Sequence, residues 1–182
     1  MNLLSLDLEH NGGDARSIIE IGVVAFNSED CSQIERKNWL VRMPGSERVT
    51  EFITGLTGIS NAMIDENGVS IDVAYAELVA FKEANACFMN PVVWGHGDME
   101  LLRSQVQSTD WKFGRRVIDA KTLYGAWRIS NGREPTGGLK TACRKLGIPF
   151  EGSAHRATDD AWNTTRAFVR LAKSMKIEYP TR

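Results

Sequence analysis

Apolar and polar residues alternate from Leu3 to Leu8, with Leu4, Leu6 and Leu8 set against Ser5 and Asp7. A period of two predicts a strand, here one that ends at an acidic pair. Asn11-Gly12-Gly13-Asp14 is a turn cluster, and the β-branched run from Ile18 to Phe26 predicts a second strand. A third strand is expected over 39–43, before Pro44-Gly45. Val73, Leu78 and Phe81 recur at helical spacing within 71–84. Pro91 to Trp94 predicts a short buried strand, Met99, Leu102 and Val106 one face of a helix, and Arg116 to Asp119 another short strand. Helices are expected over 123–129, 139–146 and 155–175, and Gly147 followed by Pro149 closes the second of these. Strands dominate early and helices late, which predicts an α/β fold with a mixed sheet flanked by helices. No repeat or linker interrupts it, so one domain over 1–182 is expected.

Composition adds constraints. The 182 residues, 42% hydrophobic and 25% charged, are ordinary for a soluble globule. No run approaches the ~20 apolar residues of a membrane span, and no basic stretch followed by an apolar run marks a secretory signal. Cys31, Cys87 and Cys143 are odd in number and scattered, which points to reduced thiols, a cytoplasmic protein and no zinc site. The net charge of −1 hides an asymmetry. Residues 1–100 hold 6 Lys/Arg against 16 Asp/Glu, a net of −10, whereas residues 101–182 hold 16 against 7, a net of +9. An acidic half suits cations and a basic half suits phosphates.

The candidate chemistry sits in three segments. Asp7 and Glu9 lie two apart on a strand and so share a face, opposite Leu6 and Leu8. Asp98 follows Val92-Val93-Trp94-Gly95 at the start of a helix, a position that suits either a site residue or a helix cap. His155 precedes Asp160 by five residues, and Ala157, Ala161, Thr164, Phe168 and Leu171 form a packing stripe. Four carboxylates in one pocket repel one another unless divalent cations hold them. A histidine, with an unperturbed pKa of about 6.5, is competent as a base near neutrality. Asp159 is about 100° round the helix from Asp160, so the two cannot face one site equally.

Taken together, Asp7-x-Glu9, Asp98 and His155-x-Ala157-x-x-Asp160 resemble the DEDDh branch of the DnaQ-like 3′–5′ exonucleases. The resemblance covers roughly residues 3–172. It extends to Leu56-Thr57-Gly58-Ile59, to Val117-Ile118-Asp119, and to Gly138-Leu139-Lys140 with Leu146-Gly147-Ile148. It implies an RNase H-like fold around a central five-stranded mixed sheet. It also implies two Mg²⁺ or Mn²⁺ held by Asp7, Glu9, Asp98 and Asp160, with His155 as the base that takes a proton from water. The implied partners are 3′ ends of single-stranded DNA or RNA, with no membrane partner, and a homodimer is allowed. Leu56, Thr57, Ile59 and His10 are the expected substrate contacts, with Leu56 and Ile59 wedging beside the terminal base from a loop.

The family usually follows its first Glu with Thr or Ser and then Gly, where this chain has His10-Asn11-Gly12. The second segment, Trp94-Gly95-His96-Gly97-Asp98, looks more like members that trim RNA 3′ ends. Trp94 and Trp162 read as stacking or core aromatics, and Arg156 and Lys140 as phosphate contacts or solvated surface. The competing functions are an oligoribonuclease-type or RNA 3′-end trimming enzyme on the same fold, an endonuclease on a related fold, and an inactive nucleic-acid-binding module. Five intact site residues argue against the last.

Overall fold

The structure is a computed structural model that describes residues 1–174. Five strands form one sheet in the order β3-β2-β1-β4-β5. β1 (Asn2–His10) and β2 (Ile18–Asn27) pair antiparallel, as do β2 and β3 (Gln33–Leu40). β4 (Val92–Val93) and β5 (Ile118–Asp119) continue the sheet in parallel with β1. The central strand β1 therefore joins a long antiparallel half to a short parallel one.

Alternation along β1 sorts its side chains between two layers. Leu4, Leu6 and Leu8 pack with Ile21, Val23, Trp39 and the buried face of α3 (Ile71–Ala84), which presents Ala74, Tyr75, Leu78 and Phe81. Leu3 and Phe26 meet Val169 of α7 (Ala157–Ser174) on the other face. Burying each of these side chains contributes about 2 kcal/mol. Asp7 and Glu9 share the α7 face because they keep step with Leu3. Gly22, opposite Asp7, lets α7 come close: a Cβ there would lie 2.2 Å from the backbone of Ala157 and Thr158.

The strand expected over 39–43 is displaced. β3 runs over Gln33–Leu40 and is mostly exposed. It is an edge strand held by its ladder to β2, so its polar sequence carries no apolar alternation. Two short helices also stand where no helix was expected, α1 (Glu51–Thr57) and α2 (Asn61–Asn67). Their starts are capped: Thr50 Oγ1 accepts from the Ile53 N–H and Ser60 Oγ from the Met63 N–H. The helix that carries Asp98, α4, spans Gly97–Gln105. α5 spans Ala120–Ser130, beginning three residues before the expected start because Asp119 caps it. α6 spans Leu139–Lys145. α7 begins at Ala157 rather than at residue 155, and its expected end at Met175 lies outside the described residues. Among the described residues no helix is long and apolar enough to cross a membrane.

Candidate active site

The three acidic segments converge at one end of β1. Glu9, His155 and Asp160 each present a ligand atom within 4.8 Å of the others. Asp7 sits two residues back on the same strand face, and Asp98, in the first turn of α4, is close enough that its charge raises the Asp7 pKa. The N-cap of α4 is His96. Asp98 is therefore not the cap, and its carboxyl is left for the site.

The electrostatics are those of a cluster of acidic groups gathered in one half-buried place. Burial, then Asp98, Asp160 and Glu9, push the Asp7 carboxyl well above the usual range. Burial, Asp160, Glu20 and Asp98 raise Glu9 to about 8, with Arg156 pulling the other way. Burial raises Asp98 to about 7 against the opposing charge of Arg16. Burial also raises Asp160, although the His155 N–H donates to its Oδ2 at 2.9 Å. A cluster of half-buried carboxylates fits hard divalent cations, which take oxygen ligands and whose charge offsets the repulsion within the cluster.

The third segment is a shaped turn. His155 has φ 62°, a left-handed conformation uncommon outside glycine, and its side chain is exposed. Asp159 accepts from the Ser153 N–H at 2.8 Å and packs against Gly152, so it braces the turn while Asp160 faces the cluster. Glu20, directly opposite Glu9 across the β1–β2 ladder, is fully buried. It accepts from Arg156 Nη2 at 2.8 Å and from the Ala157 N–H at 2.9 Å. Sequence reasoning missed it. A single charge inside Ile18-Ile19-Glu20-Ile21-Gly22-Val23 was the available signal, since a charged residue in a fully buried strand requires a partner.

The expected substrate contacts divide. Leu56 lies in α1 rather than in a loop, and it is 42% exposed. Ile59 is fully buried among Ile19, Val49, Ile53 and Ile64, so it cannot wedge beside a base. Thr57 is buried as well: its hydroxyl donates to the Ile53 carbonyl and accepts from the Ile59 N–H, so it fastens the end of α1. Phe52, absent from the sequence-based set, is 76% exposed one turn before Leu56 and on the same helix face. Asn11 ties α1 to the end of β1 by accepting from the Thr50 N–H at 2.9 Å. His10 accepts at Nδ1 from the Gly12 N–H at 3.1 Å, and Arg16 Nη2 stands 3.3 Å from its Nε2. Burial and Arg16 lower its pKa.

The other candidates fall to structural roles. Arg156 pairs with Glu20 instead of standing free for phosphate. Trp94 packs against Tyr124 with ring centroids 5.8 Å apart, and Trp162 Nε1 donates to Glu151. Lys140 lines a separate groove with Arg144 and Phe150. Asp119 caps α5 and accepts from the Gly95 N–H. It also lines, with Gly95, His96 and Lys121, an open cleft of about 740 Å³.

Similarity to known proteins agrees with this geometry. The chain is 30% identical over 174 residues to the PolC-type DNA polymerase III of Thermotoga petrophila, covering 94% of this chain and 12% of that protein. It is 24% identical over 162 residues to the 3′-5′ exoribonuclease 1 of Rattus norvegicus, covering 85% of this chain and 46% of that one. The chain thus spans less than half the length of these relatives. The nuclease domain of 3′hExo, a DEDDh family member bound to rAMP, superposes with a TM-score of 0.81 at 19% identity, covering 96% of this chain and 92% of that one. The mixed sheet and its flanking helices are thus the RNase H-like fold of these exonucleases. The RNase_T exonuclease model matches residues 4–168, most of the described chain, and the chain belongs to that exonuclease family.

Proposed function

We propose that this chain is a divalent-cation-dependent 3′–5′ exonuclease that removes nucleoside 5′-monophosphates from single-stranded 3′ ends of DNA or RNA. The observation that carries the reading is the convergence of Glu9, His155 and Asp160, with Asp7 and Asp98 electrostatically joined to them. Asp7, Glu9, Asp98 and Asp160 would hold two Mg²⁺ or Mn²⁺ ions, which supply the positive charge needed to activate water and to stabilise the departing 3′ oxygen. His155, exposed at the rim, takes the proton from the attacking water at its imidazole nitrogen. Phe52 and Leu56 offer an apolar face beside the first motif on which a terminal base of any identity stacks. His10 and Arg16, 3.3 Å apart at the end of β1, would face the substrate beside the first motif. Residues 1–182 act as one nuclease domain, whether alone or in a homodimer, and the free thiols of Cys31, Cys87 and Cys143 suit a reducing cytoplasm.

The test uses 5′-labelled DNA and RNA oligomers of one sequence, long and short, incubated with Mg²⁺, Mn²⁺ or EDTA. A ladder shortening one nucleotide at a time, abolished by EDTA, is expected. Internal cuts would overturn the exonuclease reading, and binding without cleavage would mark an inactive module. Turnover restricted to the shortest RNA oligomers would mark an oligoribonuclease-type enzyme.

A further inference from the structure

We propose that Glu20 is a positioning residue: it locks the turn that carries His155 to the central sheet, and hydrolysis depends on it through His155. The proposal rests on the reading of His155 as the base.

Glu20 is 0% exposed, in the middle of an apolar strand. A buried carboxylate costs several kcal/mol unless it is fully satisfied. Its Oε1 accepts from Arg156 Nη2 at 2.8 Å and Asn38 Nδ2 at 2.8 Å, and its Oε2 from Arg156 Nε at 3.3 Å and the Ala157 N–H at 2.9 Å. A carboxylate has about four acceptor sites, and these donors fill them. Glu20 is therefore outside the cation-binding set, although it stands opposite Glu9.

Three of the four bonds go to the two residues that follow His155. On the near side, the His155 N–H donates to Asp160 and the Ser153 N–H to Asp159. Between these anchors His155 holds φ 62°, a conformation that costs a non-glycine residue about 1 kcal/mol and persists only when its surroundings enforce it. Gly22, on the same face of β2 as Glu20, gives the turn room to reach the strand. The result is a direct mechanical reference between the imidazole and the strand ladder that carries Asp7 and Glu9. Releasing the clamp lets the turn relax, and a displacement of about 1 Å at a reacting group costs about 10²-fold in rate.

The experiment is a double-mutant cycle on the full chain: wild type, Glu20→Gln, His155→Ala and the double variant. Single-turnover cleavage of a labelled oligomer, KM, Mn²⁺ binding by calorimetry and the melting temperature are measured for each. Glu20→Gln is expected to lower kcat about 10²-fold, with KM and Mn²⁺ affinity unchanged. In the His155→Ala background the same change is expected to cost no more than about threefold, because the group it positions is gone. Arg156→Lys keeps the charge but loses the two-pronged contact, and should show the same dependence on background. It carries the test if Glu20→Gln does not fold. Equal losses in both backgrounds, or a loss confined to KM or Mn²⁺ affinity, would overturn the proposal. A wild-type rate for His155→Ala alone would instead overturn the reading of His155 on which it stands.

Discussion

Glu9→Gln in the absence of metal should stabilise the protein, and the size of the effect follows from the site. The Glu9 carboxyl titrates at about 8 in the fold against 4.5 in its ordinary state. The folded protein thus holds this proton more tightly than the unfolded chain does. The associated stability is fully present below the unfolded value and is lost as pH rises from 4.5 to about 8. At ~1.4 kcal/mol per pH unit the displacement sets a ceiling of about 5 kcal/mol. Water reaching the half-buried carboxyl screens it, leaving about 2 kcal/mol. Gln is neutral at every pH and avoids that loss. For a chain of this size, about 2 kcal/mol raises the melting temperature by about 4–8 °C. The assay is thermal unfolding of wild type and Glu9→Gln in EDTA across pH 4.5 to 8.5, repeated with saturating Mn²⁺. The two proteins should coincide at the acid end and separate as pH rises. With Mn²⁺ the order should reverse, because wild type gains ligand-binding stability that the variant lacks. A variant that melts at or below wild type in EDTA at the alkaline end would refute the account of Glu9 as a mutually repelled carboxyl.

Asp160→Asn should abolish cleavage whereas Asp159→Asn should leave most of it, because Asp159 is spent on the Ser153 N–H; equal loss in a ladder assay would mean that both serve the site. His155→Ala should slow hydrolysis by about 10²–10⁴-fold and remove the rise of the rate with pH that a neutral base requires. His10→Ala and His96→Ala are its controls, and a comparable collapse in either would move the base elsewhere. Phe52→Ala or Leu56→Ala should raise KM about 10-fold with little change in kcat, the cost of about 1–3 kcal/mol for one lost stacking partner; unchanged KM on single-stranded oligomers would exclude that face as the base platform.

The sequence made legible whatever apolar burial dictates. β1 and β2 face packed layers on both sides, so their patterns name them, and the spacing of Asp7 and Glu9 then follows from the pleat. β3 is not legible in the pattern because its side chains Gln33 to Asn38 are exposed, so it is specified by the ladder beside it rather than by its own composition. α1 and α2 leave no periodic signal because they hold seven residues each, and their capping hydroxyls look like any other Thr or Ser. Ile59 shows how a resemblance can carry a motif yet not its exposure: one of its neighbours in space, Ile19, lies forty residues earlier in the sequence. The lone charge of Glu20 in an apolar strand says that it has a partner, and only the fold names the partners, Arg156 and the Ala157 N–H.

The parallel half of the sheet is brief. β4 and β5 hold two residues each, and β1 meets β4 in one register pair, Ser5 with Val92. Asp98 is therefore mounted on the part of the sheet with the fewest ladder bonds, whereas Asp7 and Glu9 stand on the part with the most. Cooperative opening of a structure begins where least is given up. Amide hydrogens at Val92, Val93, Ile118 and Asp119 should exchange with deuterium earlier than those of the β1–β2 ladder. In the transiently opened molecules, the second acidic segment would leave the site first while the first remained in place.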